Sequence, residues 1–293
     1  MKIKKDKLQE ILKFIKKKKR SIVIVTIGIL VCLYPTISNY VADRNHRETI
    51  QNYEMAVDVL DEETIAEEFE KAQEYNENLS GDPVHDPFVY GSGYALPDNY
   101  LDVLNIYGNG VMGYIEIPII DCYLPIYHGT DEETLLEGVG HIEDSSLPIG
   151  GSSTHAVLTG HTGLTTSELF TNLIDLEVGD AFYIHVLNET LKYEIYEIEV
   201  IEPDDISSLV IEEGRDLVTL VTCTPYGVNT HRLLVKGERT EYNEETEEIA
   251  EETSSYKGLI IKILIILIIL IILIAIIKII SQRKKYRKGK HLK

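Results

Sequence analysis

Hydrophobic and polar residues alternate over short distances in the second half of the chain, which is the pattern of strands. The run Leu191–Ile201 alternates strongly from Tyr193 onward, as a half-buried antiparallel strand does. Six further runs rich in β-branched and aromatic residues lie between turn residues, at Val111–Ile117, Tyr123–Ile126, Ala156–Thr159, Ala181–Val186, Leu217–Cys223 and Leu233–Gly237. Regular short strands with few helical insertions predict a mainly β domain over residues 111–240 that closes into a barrel.

Residues 39–80 have the spacing of an amphipathic helix. The apolar residues that share one helical face are Ile65, Phe69, Ala72 and Leu79. They follow Asp61, a residue type that caps helix N-termini. We predict a helix or a helical hairpin that packs on the barrel, and the alternative is an arm that binds a partner protein.

Two segments lack such periodicity. Residues 81–110 are rich in Gly, Pro, Asn and Asp and predict a long loop. A loop of this length within a compact domain is usually a functional element such as a lid, or is disordered. Residues 241–257 are acidic and predict a linker.

Two long apolar stretches, residues 21–38 and 258–280, lie next to the ends of the chain. The second is long enough to cross a bilayer, and the first is near the lower limit of about 17 residues. The alternative for the first stretch is a cleavable signal peptide, but no small-residue cleavage site follows it clearly. The second is not a cell-wall sorting signal, because residues 251–258 contain no LPxTG-like motif.

The formal net charge of −20 conceals a strong segregation of charge along the chain. Residues 1–20 carry ten Lys and Arg against two acids, and residues 281–293 are basic without any acid. Because basic flanks stay in the cytoplasm, this distribution predicts a protein of the cell membrane with two transmembrane helices, cytoplasmic termini and an extracellular acidic domain. Membrane lipid is therefore an expected partner, and nucleic acid is not, because its phosphates would be repelled.

The candidate nucleophile is a cysteine at the end of an apolar strand. Cys32, Cys122 and Cys223 are too few for a disulfide framework. Cys223 ends a predicted strand, and a Pro-Tyr-Gly turn leads from it to a second strand that begins near Arg232. A guanidinium beside a thiol favours the thiolate and can stabilise an oxyanion in acyl transfer.

The candidate proton-transfer residue is His161, which follows the strand Ala156–Thr159 and lies between two nearby glycines. This position suits proton exchange with Cys223. Spacing alone leaves open the alternative of a structural cysteine and a surface histidine. His155 and His161 would share a strand face, but no third ligand lies at metal spacing, so no metal site is expected.

The segments TLVTCTPYGVNTHRLLVKGER and LTGHTGL resemble the signature of class C sortases, Gram-positive cysteine transpeptidases that assemble pili. The resemblance extends over about residues 30–240, through YPTISNY, MGYIEIPIIDCYLPIYHGT, GVGHIEDSSLPIGG, FTNLIDLEVGDAFYIHVLNETLKYEI and VIEPDDISSL. Many class C members have TGHRG where this chain has TGHTG, a difference that leaves the histidine unchanged.

The resemblance implies a sortase-type closed eight-stranded β-barrel with short helices, and a catalytic trio of Cys223, His161 and Arg232. It also implies cleavage of an LPxTG-like sorting signal through a thioester acyl-enzyme. The acceptor would be a lysine amine of another pilin subunit, and no cofactor is needed. Thr222 and Thr224, which flank the cysteine, could add hydrogen bonds to the substrate.

The predicted loop also resembles class C sortases, because Asp86, Pro87 and Phe88 match their lid motif. By this resemblance the acid would pair with Arg232 and the ring would cover Cys223. One alternative function is attachment of proteins to a cell-wall peptide, against which the lid motif and the second anchor count. The other is a non-catalytic membrane-tethered scaffold, against which the intact trio counts.

Overall fold

The computed structural model of the protein describes residues 19–79 and 99–243. Two helices, α1 (Lys19–Asp58) and α2 (Glu62–Asn78), precede the strands, and α3 (Glu132–Glu137) lies among them. The strands of this part of the chain are β1 (Val111–Ile117), β2 (Cys122–His128), β3 (Val139–His141), β4 (Thr154–Thr159), β5 (Ala181–Val186), β6 (Glu189–Ile201), β7 (Asp216–Thr224) and β8 (His231–Thr240). Short 3-10 helices occupy Pro118–Ile120, Thr171–Asp175 and Ser207–Leu209.

The strands form one closed barrel in the order β1-β2-β3-β4-β7-β8-β6-β5, which confirms the predicted eight-stranded barrel. Neighbouring strands are antiparallel except for the β2–β3 and β4–β7 pairs, which are parallel. The seven predicted runs coincide with strands of the barrel, and β3 has no counterpart among them. Its three residues are too few to show an alternating pattern.

The barrel is filled by side chains from alternate positions of its strands. Phe182, Tyr193, Leu220 and Val235 are among the fully buried residues of this interior. Strand β7 is buried on both faces, because Val221 projects outward into a second apolar cluster beneath the connection between β6 and β7. This double burial explains why β7 is a nearly continuous apolar run in the sequence.

Helix α2 packs on the barrel through its apolar face. Asp61 caps its N-terminus by accepting the N–H of Thr64 at 2.9 Å. Ala72 is buried in the core, with the other predicted face residues, Ile65, Phe69 and Leu79, packed partly buried against it. The side chain of Asn76 accepts the N–H of Leu147 at 2.7 Å and donates to its carbonyl at 3.2 Å, which fixes the end of the helix.

Several predicted features lie outside the described residues. These are the lid residues Asp86, Pro87 and Phe88, the second apolar stretch, the C-terminal basic tail and nearly all of the linker and of the N-terminal tail. In the part of the chain that is described, no helix combines the length and the hydropathy needed to cross a bilayer. The two membrane anchors remain predictions.

Candidate active site

Cys223 and Arg232 face each other across the β7–β8 pair. Cys223 is the next-to-last residue of β7 and lies directly opposite Arg232, the second residue of β8. Opposite residues of an antiparallel pair project from the same face of the sheet, with Cβ atoms about 4.5–5.5 Å apart. The register therefore brings the thiol and the guanidinium together at one end of the barrel.

The two side chains differ in exposure. Cys223 is partly exposed, whereas Arg232 is 6% exposed. Arg232 Nη1 donates to the carbonyl of His231 at 3.2 Å and, more weakly, to that of Asn229 at 3.4 Å. These bonds to its own turn hold the guanidinium at the strand end, where the thiol is accessible beside it.

His161 reaches the site through an extension of the β4–β7 pair. Beyond the last paired residue of β4, Gly160 donates its N–H to the carbonyl of Val221 at 3.1 Å. The carbonyl of Gly160 accepts the hydroxyl of Thr222 at 2.7 Å. Because these bonds continue the parallel register, His161 follows at the level of Cys223.

The loop that carries His161 packs against Phe170, and the imidazole is partly buried. An added Cβ at Gly160 would lie 2.9 Å from the ring of Phe170, so glycine permits the close approach of this ring. Phe170 in turn donates its N–H to the carbonyl of His161 at 3.1 Å. Burial lowers the pKa of His161, and the carboxylate of Glu132 on α3 opposes this shift only in part. The imidazole is therefore neutral at neutral pH and able to accept a proton from a thiol.

The two threonines beside Cys223 are buried. The hydroxyl of Thr222 is engaged by the carbonyl of Gly160, so it supports the backbone that leads to His161. Thr224 is 8% exposed and lies opposite His231. Contact of either hydroxyl with a substrate remains a prediction.

An apolar cleft lies beside Arg232, between the outer face of the barrel and the connection of residues 202–215. It is lined by Ile142, Ile201, Pro203, Asp205, Ile206, Leu209, Val221, Arg232 and Leu234. Ile206 and Leu209 belong to the connection and pack in the same apolar cluster as Val221, which they cover. Because Val221 precedes Cys223 by two residues on the same face, the cleft leads toward the thiol.

Ile206 and Leu209 are not among the residues predicted to form the site. They are apolar residues three positions apart in a connection that also contains Val210 and Ile211, so no pattern in the sequence singled them out. Their position over β7 depends on the tertiary fold.

His155, considered above as a metal ligand, has other partners. Its Nδ1 lies 2.8 Å from the carbonyl of Val210 and its Nε2 lies 2.7 Å from the hydroxyl of Thr219. Across residues 19–79 and 99–243 no group of three or more His, Cys, Asp or Glu side chains is arranged to hold a metal ion.

The closed barrel, with a thiol, a guanidinium and a neutral imidazole at one end, indicates the class of cysteine transpeptidases. The family described as Sortase domain matches residues 115–240. The chain is 32% identical to Sortase D of Bacillus subtilis over 130 residues, which is 43% of this chain and 63% of that protein. It is 37% identical to Sortase A of Staphylococcus aureus over 124 residues, which is 41% of this chain and 58% of that protein. The chain thus spans less than two thirds of the length of either curated relative.

Solved structures match over a larger share. The chain is 53% identical to sortase C-1 from Actinomyces oris, with a TM-score of 0.59, covering 61% of this chain and 99% of that one. It is 45% identical to sortase C-1 from Streptococcus pneumoniae, with a TM-score of 0.62, covering 67% and 100%. The chain belongs to the sortase family, and its resemblance to class C sortases is confirmed.

Proposed function

We propose that this sortase is a pilin polymerase. It cleaves an LPxTG-like sorting signal between Thr and Gly and joins the signal to a lysine amine of another pilin subunit. The observation that carries the proposal is the register that sets Cys223 opposite Arg232, beside the apolar cleft. Similarity to class C sortases supports a pilin as the substrate, since the work on a similar solved structure, a Streptococcus pneumoniae sortase C, concerns pilin substrate specificity.

The first half-reaction forms a thioester. The neutral imidazole of His161 accepts the thiol proton as the sulfur of Cys223 attacks the Thr carbonyl carbon. The guanidinium of Arg232 stabilises the resulting oxyanion. When the oxyanion collapses, the Thr–Gly C–N bond breaks and the imidazolium transfers its proton to the leaving Gly amine.

The second half-reaction transfers the acyl group. The lysine amine of the acceptor attacks the thioester carbonyl and loses a proton to His161. The carbon–sulfur bond breaks, and the proton returns to the sulfur of Cys223, which restores the free enzyme. The product is an isopeptide bond between two subunits.

The apolar residues at the rim of the cleft would contact the apolar part of the sorting signal. The Thr carbonyl must lie at Cys223, so the residues that precede Thr in the motif, Leu and Pro, extend along the face toward Val221 and the cleft. The cleft itself holds only about 10 Å³, so a leucine side chain would contact its rim. This contact would favour Leu over smaller residues.

Location and regulation follow from the sequence motifs. The two apolar stretches would anchor the chain in the membrane, with an extracellular catalytic domain and cytoplasmic termini. Asp86, Pro87 and Phe88 would act as a lid, the acid pairing with Arg232 and the ring covering Cys223. These parts of the proposal rest on the sequence alone.

Mass spectrometry of the full-length protein in detergent tests the proposal. Incubation with an LPxTG peptide is expected to give an acyl adduct that is lost in Cys223→Ala. The adduct is retained in the matched control Cys122→Ala, because Cys122 is a buried core residue. Addition of a pilin domain is then expected to move the acyl group to a pilin lysine.

The other functions give different results in the same experiment. Transfer to a peptidoglycan-peptide amine, with none to pilin, would identify a cell-wall-anchoring enzyme. Absence of any adduct, even when Asp86 and Phe88 are replaced by Ala, would identify a non-catalytic scaffold.

A further inference from the structure

Helix α1 meets the barrel at the end that carries Cys223, which is called the active-site end below. Near the middle of α1, Asn39 Nδ2 donates to Glu168 Oε1 at 3.0 Å. Glu168 lies two residues before Phe170, whose N–H binds the carbonyl of His161 at 3.1 Å. The helix therefore contacts the loop that carries the catalytic histidine.

From this contact α1 runs along the barrel to the far end. The hydroxyl of Tyr53 donates to the carbonyl of Met112 at 3.1 Å and accepts the N–H of Leu187, in the β5–β6 turn, at 2.8 Å. This turn is remote from the active site, because β6 runs from it to Ile201, which pairs with Arg232. Between the two contacts α1 covers fourteen residues, or about 21 Å at 1.5 Å per residue.

The N-terminal part of α1 extends in the other direction, beyond the active-site end. Residues 19–38 of the helix are about 30 Å long, which is the thickness of the hydrocarbon core of a bilayer. Its apolar side chains Val31, Leu33, Tyr34 and Ile37 are 45–66% exposed in the described part of the chain. A helix that is apolar on all sides needs an apolar environment. The membrane of the proposed anchor would supply it.

Neither Pro35 nor the C-terminal linker opposes this direction. Pro35 lies within α1, and a bend of about 20–30° would tilt the extension without turning it back. Strand β8 ends at Thr240, at the far end, and residues 241–257 lead to the second apolar stretch. These seventeen residues reach about 58 Å when extended. The barrel is only about 30 Å tall, because the thirteen residues of β6 span about 40 Å along a strand tilted by about 40°.

We infer that the active-site end of the barrel faces the lipid bilayer and that α1 holds this end against the headgroups. The inference rests on the proposed membrane anchor. The apolar stretch ends at residue 38, and Asn39 already contacts Glu168. Headgroups at the end of this stretch would therefore lie level with the loop that carries His161.

Apolar side chains, rather than charge, would contact the bilayer. Ile174 belongs to the 3-10 helix Thr171–Asp175, and Ile119 belongs to the 3-10 helix Pro118–Ile120, which contacts it. Their side chains are 65% and 59% exposed. The domain is acidic, so anionic headgroups would not attract it. The orientation would therefore be set by α1 and these apolar contacts, and a neutral lipid should suffice.

Fluorescent labels at the two ends of the barrel test the orientation in the full-length protein, reconstituted in phosphatidylcholine nanodiscs. One label is attached to Ile174→Cys at the active-site end, and the matched label is attached to Asn188→Cys in the β5–β6 turn. Both proteins carry Cys32→Ala and Cys223→Ala, and Cys122 is buried, so one thiol is accessible.

Quenching by a lipid with a nitroxide headgroup is expected to be several-fold stronger for the label of Ile174→Cys. The reason is that the far end would stand about 30 Å higher above the bilayer. Equal quenching of the two labels, or stronger quenching at the far end, would overturn the inference.

An insertion that lengthens α1 tests what the orientation does for the reaction. Eleven residues of Ala, Glu and Lys between Ser38 and Asn39 would raise the barrel by about 16 Å and turn it by only about 20°. The same eleven residues between Glu247 and Glu248 are the matched control, because they lengthen the linker and leave α1 unchanged.

Turnover is measured in the same nanodiscs with a free LPxTG peptide and with this peptide joined to a lipid by a short linker. The α1 insertion is expected to lower kcat/KM for the lipid-linked peptide about tenfold, because the peptide no longer reaches the site. The free peptide and the control insertion show no change. Lengthening the peptide's linker by ten residues, about 33 Å, restores conversion.

The outcomes separate this inference from the proposed function. Unchanged turnover of the lipid-linked peptide in the α1 insertion would show that the site does not face the bilayer. If the wild-type protein converts neither peptide, the proposed function fails, while the quenching measurement still tests the orientation.

Discussion

His141 lies in the barrel wall, where both of its ring nitrogens have hydrogen-bond partners. It is fully buried at the end of β3. Its Nε2 lies 2.8 Å from the carbonyl of Ser146 and its Nδ1 lies 2.9 Å from the hydroxyl of Tyr100. The carbonyl requires a donor, so Nε2 carries the proton and Nδ1 accepts from Tyr100. A second proton at Nδ1 would create an uncompensated buried charge.

This environment predicts that acidification destabilises the fold. Burial lowers the pKa of His141 to about 3, with a small further lowering from His128 and an opposing effect of the Ser146 carbonyl. The pKa in the unfolded chain is about 6.5, so below that pH the unfolded chain binds more protons than the folded one. The stabilisation is complete above pH 6.5 and is lost as the pH falls toward about 3. Over the 1.5 units from pH 6.5 to 5, at about 1.4 kcal/mol per unit, the loss is about 2 kcal/mol.

Urea unfolding of the full-length protein in detergent at pH 8, 6.5 and 5 measures this loss. Burial also lowers the pKa of His128 and of His155, so the wild-type slope contains their contributions as well. The variant His141→Gln retains a donor for the carbonyl and an acceptor for Tyr100, and it cannot titrate. We expect the free energy of unfolding of wild type to fall by about 2 kcal/mol more than that of the variant between pH 6.5 and 5. Equal slopes for the two proteins would refute the reasoning.

Three further predictions concern the active site and the barrel. Arg232→Gln is expected to lower the rate of thioester formation about 10²–10³-fold, because a charged donor to the oxyanion is lost, as measured by mass spectrometry of the adduct on Cys223. Gly237→Ala is expected to lower the free energy of unfolding by about 1–3 kcal/mol in urea titrations. The reason is that the added Cβ would lie 2.6 Å from the ring of Phe182. Tyr53→Phe is expected to cost about 1–3 kcal/mol in the same titrations. Its hydroxyl joins α1 to the barrel by donating to a backbone carbonyl at 3.1 Å and accepting a backbone N–H at 2.8 Å.

Matched controls isolate each cause. Arg47→Gln, on α1, should leave thioester formation unchanged, and a wild-type rate in the Arg232 variant would exclude the oxyanion role. In a Phe182→Leu background, Gly237→Ala should lower the free energy of unfolding by less than it does in the wild-type background. If the effects of the two substitutions on the free energy of unfolding simply add, the clash is not the cause. Tyr226→Phe should leave the free energy of unfolding nearly unchanged, because Tyr226 is 67% exposed. An equally small change in Tyr53→Phe would contradict the bridging role.

Short-range patterns account for the parts of the site that the sequence predicted. Cys223 and Arg232 lie on consecutive strands joined by only the six residues 225–230, so their proximity follows from a local hairpin. The N-cap at Asp61 likewise depends on a bond to Thr64 only three residues away. For His161 the pattern indicated a strand end but not its neighbour, and the resemblance to a known family supplied the pairing.

The sequence by itself determined the strand content, the amphipathic face of α2 and the residue types suited to cysteine chemistry, because these depend on periodicity and on neighbours within a few residues. Only the tertiary structure decided which strands adjoin. The parallel β4–β7 pair brings the segment of His161 level with Cys223 across more than sixty residues of chain. The tertiary structure also placed His155 against the carbonyl of Val210 in the 202–215 connection. Such contacts arise from closure of the whole barrel, and a closed sheet sets its strand neighbours by the joint burial of all its strands rather than by any local signal.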